Sequence, residues 1–386
     1  MERDGRAPYT PHESPAPESH DLYFPYMVYA HDQVAASSYC LSQSGMPVPE
    51  SSFLDGAGGI DIGPPAAEAL PAFEQGIADL FGVPAERVLA TVGASSAMNF
   101  CAARYFRPGT RVVCESPSYE PLRVLPEFFG AEARIVERRA EDGWKLDPER
   151  VDAALEGAEV GHVFATNPNN PTGALMEADE MRALAEVAAR HSGVLVVCEV
   201  YGEYLPPDRR VHVANLVPNG ISIGSLTKAY GLGALRAGWI LLGEGLTRES
   251  VHLRDVSYLT YVDPPTASLR GAVRALDHLP ALLQPLRRVE AESRPMWVEW
   301  LESTPGVECV VPEFGIIAFP RLTGVSNTHS FAGFLAQEMG VDVAPGEYFG
   351  AAGHVRVGCG VPPETLREGL ARLSRGLEAW QAAGGS

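Results

Sequence analysis

The sequence predicts an α/β protein with a large domain built on a mostly parallel seven-stranded sheet covered by helices, and a smaller α+β domain. Two observations carry this prediction. Seven short apolar runs alternate with helical patterns over residues 87–242, and after about residue 275 the pattern changes to helices with few strands. Continuous apolar runs separated by helices are typical of parallel strands that are buried on both faces.

The predicted strands follow one another in chain order. They are RVLATV (87–92), TRVVCES (110–116), ARIVE (133–137), GHVFAT (161–166), GVLVVCEV (193–200), ISIGSL (221–226) and AGWILLG (237–243). A helix is predicted near 119–129. The clearest helix covers about 178–191, where four apolar residues recur on one face before Gly193 ends the segment. These residues are Met181, Leu184, Ala185 and Ala188.

The C-terminal third predicts the smaller domain. A helical stretch at roughly 278–304 precedes three strand-like runs, GIIAFP, VDVAP and HVRVGC, and a last helix with leucines on one face. These leucines are Leu366, Leu370, Leu373 and Leu377. We therefore predict a mobile N-terminal arm (1–25), a small domain (26–55 with 276–386) and a large domain (56–275).

Composition excludes several classes of function. The net charge of −19 disfavours binding to nucleic acid or to an anionic membrane. No apolar run is long enough to span a bilayer, and the N-terminus lacks the apolar core of a secretory signal. The six cysteines show no C-x-x-C spacing, which indicates reduced thiols rather than a disulfide framework or a metal site. We expect a cytoplasmic protein.

Lysine usage singles out one residue. Only Lys145 and Lys228 are lysines among the 30 Lys and Arg residues. An amine can form a Schiff base, which a permanently protonated guanidinium cannot. Lys145 lies in the polar stretch EDGWKLDPER, which is typical of a solvated side chain. Lys228 in SLTKAYGLGALRAG is therefore the candidate for chemistry, although a biased genome would also deplete lysine.

The Lys228 stretch also carries a candidate phosphate site. Ser225, Thr227 and Arg236 offer two hydroxyls and a guanidinium, groups that bind phosphate. A dinucleotide-binding loop is the alternative, because GLGALR begins like G-x-G-x-x-G, but Arg236 replaces the last glycine. An ordinary glycine loop with surface side chains is the structural alternative.

Other strand ends carry polar groups that would meet at one edge of the sheet. In TVGASSAMN, the N–H groups of Ala94 and Ser95 would open a helix toward an anion; a plain helix start is the alternative. In NPNNPTG, Asn170 is held extended before a proline, unless the stretch is only a turn. In HVRVGC, Arg356 is either a carboxylate clamp or a surface arginine.

Together, NPNNPTG, VCEVY, SLTK with Arg236 eight residues on, and HVRVG resemble the fold type I pyridoxal-phosphate (PLP) enzymes of aminotransferase class I/II. The resemblance spans roughly residues 40–380 in consistent order. It implies PLP as the cofactor, an amino acid as the substrate and a homodimer as the assembly. A PLP-sensing transcription regulator is disfavoured, because the short, acidic, proline-rich N-terminus leaves no room for a DNA-binding module.

The resemblance also implies roles for individual residues. It makes Lys228 the Schiff-base lysine and the proton carrier between the substrate Cα and the cofactor C4′. The phosphate cup would be Ala94, Ser95, Ser225, Thr227 and Arg236. Tyr119 would stack on the pyridine ring, Tyr201 and Asn170 would contact its phenolic oxygen, and Arg356 with Asn170 would hold the α-carboxylate. Gly45 in LSQSGMP would line the substrate pocket.

The sequence departs from the family pattern at two places. The segment LDGAGGIDIGPPAAEAL (54–70) lacks the tyrosine that the family often sends to the partner subunit's phosphate. Cys198 stands where the family has an aspartate, three residues before Tyr201. Adjacent strand residues face opposite ways, so Glu199 is not expected to replace that acid; Cys198 as a mere buried filler is the structural alternative.

The cysteine leaves the reaction open. Transamination is the family default, whereas a neutral group at the ring nitrogen suggests elimination, replacement or cyclisation by analogy with other PLP enzymes. The substrate side chain is not predicted. The tyrosines of two irregular segments either line its pocket or make packing or dimer contacts. They are Tyr23, Tyr26, Tyr29, Tyr258 and Tyr261.

Overall fold

The computed structural model describes residues 26, 29, 37–47 and 66–384. The predicted N-terminal arm and the tyrosine-poor segment up to residue 65 lie outside the described residues. A seven-stranded sheet forms the centre of the large domain. Its strands are β2 (Val88–Val92), β3 (Thr110–Ser116), β4 (Glu132–Glu137), β5 (Val160–Thr166), β6 (Leu195–Cys198), β7 (Gly220–Ser225) and β8 (Ala237–Leu242).

The strand order confirms the predicted α/β class. The order across the sheet is β2-β8-β7-β6-β5-β3-β4. Strand β8 runs antiparallel to β2 and β7, and the remaining neighbours are parallel. All four residues of β6 are buried, as expected for a central strand with helices on both faces of the sheet.

Helices follow most of these strands. Those of the large sheet are α1 (Ala66–Phe81), α2 (Gly93–Tyr105), α3 (Glu120–Phe128), α4 (Pro148–Leu155), α5 (Ala178–Arg190), α6 (Val213–Leu216), α7 (Glu249–Thr260) and α8 (Thr266–Leu276). Helix α5 matches its predicted range closely. Its four apolar residues on one face, Met181, Leu184, Ala185 and Ala188, are all buried.

The predicted helix at 278–304 is divided into shorter segments. These are α9 (Leu279–Leu282), α10 (Gln284–Arg288), a π-helical turn (Val289–Ser293) and α11 (Arg294–Ser303). Pro280, Pro285 and Pro295 each lie in the first turn of a segment. Proline lacks the N–H of an interior helix bond but fits a first turn, so each proline favours a new start over continuation.

The C-terminal part contains short strands and two more helices. They are β9 (Val307–Glu308), β10 (Ile317–Ala318), β11 (Arg321–Leu322), α12 (Thr328–Phe334), β12 (Val341–Asp342), β13 (Ala344–Pro345), β14 (Val355–Gly358) and α13 (Pro363–Ala382). Strand β14 lies between β10 and β13. The four predicted leucines of α13 are buried.

One pairing ties the beginning of the chain to this part. Strand β1 (Tyr39–Cys40) pairs in parallel with β12. This is consistent with grouping 26–55 with 276–386, although the three domain boundaries stay a prediction. The part of the chain that the structure describes holds no apolar helix of the length that crosses a bilayer.

Candidate active site

The predicted site residues gather at one edge of the large sheet. Asn170 follows β5, Cys198 ends β6 and Lys228 follows β7. These three strands are parallel neighbours, so their carboxyl ends meet at the same edge, where ligands bind in sheets of this kind.

The Lys228 amine faces a segment from the beginning of the chain. Its Nζ donates a hydrogen bond to the Ser44 hydroxyl at 3.2 Å and lies 5.8 Å from the centre of the Tyr201 ring. The backbone is tied to the same segment, since the Met46 N–H donates to the Lys228 carbonyl at 2.9 Å. Gly45 lies between these two contacts, and a Cβ added there would come no closer than 3.6 Å to Lys228.

The pKa of the Lys228 amine is lowered. Burial is the largest cause, and the positive charges of Arg356 and Arg236 act in the same direction. A lowered pKa increases the fraction of neutral amine, which is the form that attacks a carbonyl carbon. The site therefore favours nucleophilic chemistry at Lys228.

Arg356 on β14 is a buried cation held by neutral groups. Its side chain donates to Asn170 Oδ1 at 2.9 Å, to the Tyr26 hydroxyl at 2.7 Å and to the Ser42 carbonyl at 2.7 Å. Among the described residues, no carboxylate is bonded to this guanidinium. Because an ion is costly to bury without a counter-charge, the arrangement is suited to an incoming anion.

The start of helix α2 lies against Arg236. Gly93 has a φ of 71°, and a Cβ added to it would lie 2.4 Å from Arg236 Nη2. Strand β8 also packs closely, because a Cβ at Gly238 would lie 2.9 Å from the Ala94 nitrogen. The first N–H groups of a helix have no partner within it, so these groups and the guanidinium lie where they are suited to bind an anion together.

Two hydroxyls and a further residue of the predicted cup lie on neighbouring elements. Ser225 is buried at the end of β7, and its hydroxyl accepts a bond from the Thr227 N–H at 3.4 Å. Ser95 is exposed in the first turn of α2. The Ser225 hydroxyl is thus tied to the backbone of the same turn, and Ser95 lies on a separate element.

Cys198 and Glu199 face opposite ways at the end of β6. Glu199 accepts bonds from His212 Nδ1 at 2.6 Å and from the Val213 N–H at 2.8 Å. Cys198 is 3% exposed, and burial, the largest effect, raises the pKa of its thiol to about 12. The thiol is thus neutral at ordinary pH, as its apolar surroundings predict.

Two tyrosines lie near this thiol. Burial is the main cause of a raised pKa at both Tyr119 and Tyr201, and Cys198 is close enough to contribute to both rises. Both phenols therefore stay protonated. The Tyr201 hydroxyl is buried near Ser44 and makes no hydrogen bond of good geometry to the described residues, which suits it to contact a ligand.

The tyrosines of the two irregular segments differ in their surroundings. Tyr26 contacts the site through Arg356, whereas the Tyr29 hydroxyl donates to Asp342. The Tyr261 hydroxyl accepts a hydrogen bond from the Val92 N–H beside the start of α2 at 3.1 Å. Tyr258 is 53% exposed. Tyr23 lies outside the described residues.

Ser42 and Ser44 were missed by sequence reasoning, which selected only Gly45 from LSQSGMP. Their contacts with Arg356 and Lys228 join residues far apart in the chain. The only sequence signal was their position beside that glycine. No cluster of metal-ligating side chains occurs within the described ranges.

Comparison with known proteins agrees with this geometry. The profile of the family "Aminotransferase class I and II" matches residues 58–373. Capreomycidine synthase of Streptomyces vinaceus is 32% identical over 298 residues, which cover 76% of this chain and 75% of that protein. Arginine–pyruvate transaminase of Pseudomonas aeruginosa is 29% identical over 299 residues, with the same coverage of each chain.

A solved structure extends the likeness to the fold. The crystal structure of a PLP-dependent aminotransferase from Streptococcus suis superimposes with a TM-score of 0.81 at 25% identity, covering 93% of this chain and 98% of that one. Sequence and fold point to the same group of enzymes. The chain belongs to the aminotransferase class I and II family, whose enzymes depend on PLP.

Proposed function

We propose that Lys228 forms a Schiff base with PLP and that the enzyme acts on an α-amino acid held by Arg356, with transamination as the default reaction. We assign to each site residue the role that the resemblance to class I/II aminotransferases implies for it. The observation that carries the proposal is the convergence of an amine and a guanidinium on one short segment. The Ser44 hydroxyl accepts a hydrogen bond from the Lys228 amine, and the Ser42 carbonyl accepts one from the Arg356 guanidinium.

This convergence matches the chemistry of an amino acid. Burial lowers the pKa of the amine, which favours the neutral form that reacts with an aldehyde. The guanidinium lacks a carboxylate among the described residues and suits an α-carboxylate. Because both lie beside residues 42–44, one small molecule could reach both.

The residues fit PLP. The start of α2 lies against Arg236 and would bind a phosphate with it. The buried Tyr201 hydroxyl lies near Ser44 but makes no hydrogen bond of good geometry to the described residues. When bound, PLP supplies an aldehyde that condenses with amines and a ring that withdraws electrons from the substrate Cα. Ser225, Thr227, Ala94 and Ser95 would complete the phosphate contacts.

The chain's own groups then divide the work. Arg356 and Asn170 hold the α-carboxylate, which orients the substrate. Lys228 moves a proton from the substrate Cα, and its lowered pKa increases the fraction of neutral amine that can act as the base. Tyr201 keeps its proton and would donate a hydrogen bond to the cofactor's phenolic oxygen, and Tyr119 would lie against the ring.

A reaction other than transamination is the second candidate, and Cys198 favours it. Its neutral thiol supplies no anion to keep a ring nitrogen protonated. Glu199 is turned toward His212. Glu115 is already bonded to Arg138, Thr166 and Asn169. The similarity to a synthase as well as to aminotransferases is consistent with elimination, replacement or cyclisation.

A panel experiment separates the two candidates. The PLP-loaded protein is incubated with single amino acids while cofactor absorbance, keto acid, ammonia and released leaving groups are measured. Transamination predicts keto acid that depends on an amino-group acceptor. Ammonia, or a new product without an acceptor, would select the second candidate, and a panel without any spectral change would oppose both.

We also propose that the protein is a cytoplasmic homodimer. All six cysteines are free thiols, which is typical of a reducing compartment. Helix α7 and the residues after it expose large apolar side chains, with Leu259 90% and Val262 58% exposed, and such residues often mark an interface. Sedimentation of the purified protein tests the dimer, and a monomer at micromolar concentration would contradict it.

A further inference from the structure

The hydrogen bonds of Arg356 leave its guanidinium short of a paired contact. A guanidinium has five N–H hydrogens. Nη2 uses both of its hydrogens, on the Tyr26 hydroxyl and the Ser42 carbonyl, and Nη1 uses one on Asn170. Nε is buried without a partner among the described residues.

The unused hydrogens of the Arg356 guanidinium, on Nε and Nη1, do not lie side by side, so they cannot bind the two oxygens of one carboxylate as a pair. A carboxylate binds a guanidinium through two parallel N–H bonds, and either paired arrangement includes a hydrogen of Nη2. Both of these are occupied by groups of the protein. Arg356 alone therefore offers a carboxylate one N–H at a time unless Tyr26 or Ser42 gives way.

Tyr26 offers the missing donor. A tyrosine hydroxyl can accept hydrogen bonds and donate one. Its oxygen accepts from Arg356 Nη2 at 2.7 Å, and no described residue accepts its own hydrogen. That hydrogen lies beside the guanidinium and is available to an oxygen of the same ligand.

Several contacts hold Tyr26 in place. Its backbone N–H donates to Glu120 Oε2 at 3.2 Å. Its ring meets Tyr119 edge-on with centroids 5.9 Å apart and lies 5.4 Å from the Phe349 ring. Three residues later, the Tyr29 hydroxyl donates toward Asp342 Oδ1 at 2.7 Å. These contacts favour a ring that stays when a ligand enters.

We propose that Tyr26 is a substrate-binding residue whose hydroxyl donates to one oxygen of the α-carboxylate, while an Arg356 N–H donates to the other. The proposal rests on the proposed function, since it takes Arg356 as the carboxylate clamp. Tyr26 would thereby join the clamp to Tyr119, the aromatic residue proposed to cover the cofactor ring. The carboxylate would be recognised jointly by a charged and a neutral donor.

The test compares two variants that each lose one hydroxyl. Tyr26→Phe keeps the ring and its packing, and Tyr29→Phe removes the hydroxyl that binds Asp342 from the same segment. The probes are unbranched monocarboxylates from acetate to hexanoate and their amides. Calorimetric titration of the folded protein, with and without PLP, gives the ratio of carboxylate to amide affinity.

The expected result is a selective loss in one variant. A hydrogen bond to a charged group is lost in Tyr26→Phe, so its carboxylate preference falls roughly tenfold or more, while Tyr29→Phe stays within about twofold of the parent. Arg356→Gln, as the reference for a lost clamp, shows no preference. Because each value is a ratio within one protein, partial unfolding of a variant does not imitate the effect.

Three results would overturn the proposal. Unchanged carboxylate binding in Tyr26→Phe would mean that the hydroxyl does not contact the carboxylate, and tighter binding would mean that the carboxylate displaces it. An equal loss in Tyr29→Phe would assign the effect to docking of the segment. A parent without carboxylate preference would remove the clamp itself. The titration without PLP does not depend on Lys228, so a missing Schiff base would refute the proposed function separately.

Discussion

In the proposed function, Cys198 is the residue at the cofactor's ring nitrogen, and it bears on which reaction the site favours. An aspartate beside the ring nitrogen would keep that nitrogen protonated and strengthen electron withdrawal from the substrate Cα. The buried Cys198 thiol, with its pKa of about 12, does not. Glu199 cannot compensate, because it is bonded to His212 on the other face of β6.

Restoring an acid should therefore shift the reaction. In Cys198→Asp loaded with PLP, we predict that a single turnover without an acceptor releases keto acid roughly tenfold faster than in the parent, because a negative charge stabilises the protonated ring nitrogen. Rapid quenching and keto acid assay measure this. Cys198→Ser, which is also neutral, is the control and should match the parent; equal rates in all three proteins would remove Cys198 from the ring nitrogen.

At the scale of elements, the proposed phosphate site depends on the contact between the start of α2 and Arg236. Gly93 has a positive φ and leaves no room for a Cβ beside the guanidinium. Gly82, after α1, has a φ of 66° but nothing within 4 Å of an added Cβ. Substituting each glycine in turn therefore distinguishes the backbone strain that a side chain causes from its effect on Arg236.

A methyl group at Gly93 should weaken cofactor binding. Gly93→Ala displaces Arg236, so PLP affinity falls roughly tenfold, as expected for a lost charge-assisted bond. Gly82→Ala shares the backbone cost of about 1–2 kcal/mol but keeps the affinity of the parent. Equilibrium dialysis with PLP measures both; equal affinities in the two variants would contradict the placement of the phosphate.

The stability of the fold should depend on pH through Glu120, the residue of helix α3 that bonds Tyr26. Burial, the largest effect, raises the pKa of Glu120 from 4.5 to about 7. A carboxyl that binds its proton more tightly in the folded chain than in the unfolded chain makes the folded state less stable as pH rises through this window. Glu120 accepts the Tyr26 N–H, and an amide oxygen can accept the same bond.

Glu120→Gln should remove this dependence. Relative to the variant, the parent loses free energy of unfolding between about pH 5 and pH 8, which urea titration at several pH values measures. Glu127→Gln, on the exposed part of the same helix, is the control and should follow the parent. Parallel curves for parent and Glu120→Gln would show that Glu120 is not held in its protonated form.

Across the whole molecule, the elements that could be predicted are those whose residues form a local pattern in the sequence. The seven strands were found because each contains apolar residues in a short run, although β4, at the edge of the sheet, exposes most of its residues. Helix α5 was found because its buried residues recur at helical spacing. The stretch 278–304 was predicted as one helix and is divided, since prolines that suit a first turn restart it.

The candidate site was predicted only where a residue lies in a recognisable stretch. Lys228, Asn170 and Arg356 lie in such stretches and come together at the sheet edge. Ser42 and Ser44 lie beside Gly45 in LSQSGMP, but neither matches a pattern of its own. Their partners Arg356 and Lys228 lie some 300 and 180 residues away, and only folding brings them together. Such long-range contacts leave little periodic signal in a single sequence.

The account depends most on Lys228, and the scarcity of lysine makes it easy to test. The PLP-loaded protein is treated with borohydride, digested, and its peptides are mapped by mass spectrometry, with Lys228→Ala as the control. We predict an absorption band in the visible range that borohydride removes, with the reduced cofactor attached to Lys228 and none attached in the variant. Attachment at Lys145, or no band and no attachment at all, would contradict the account.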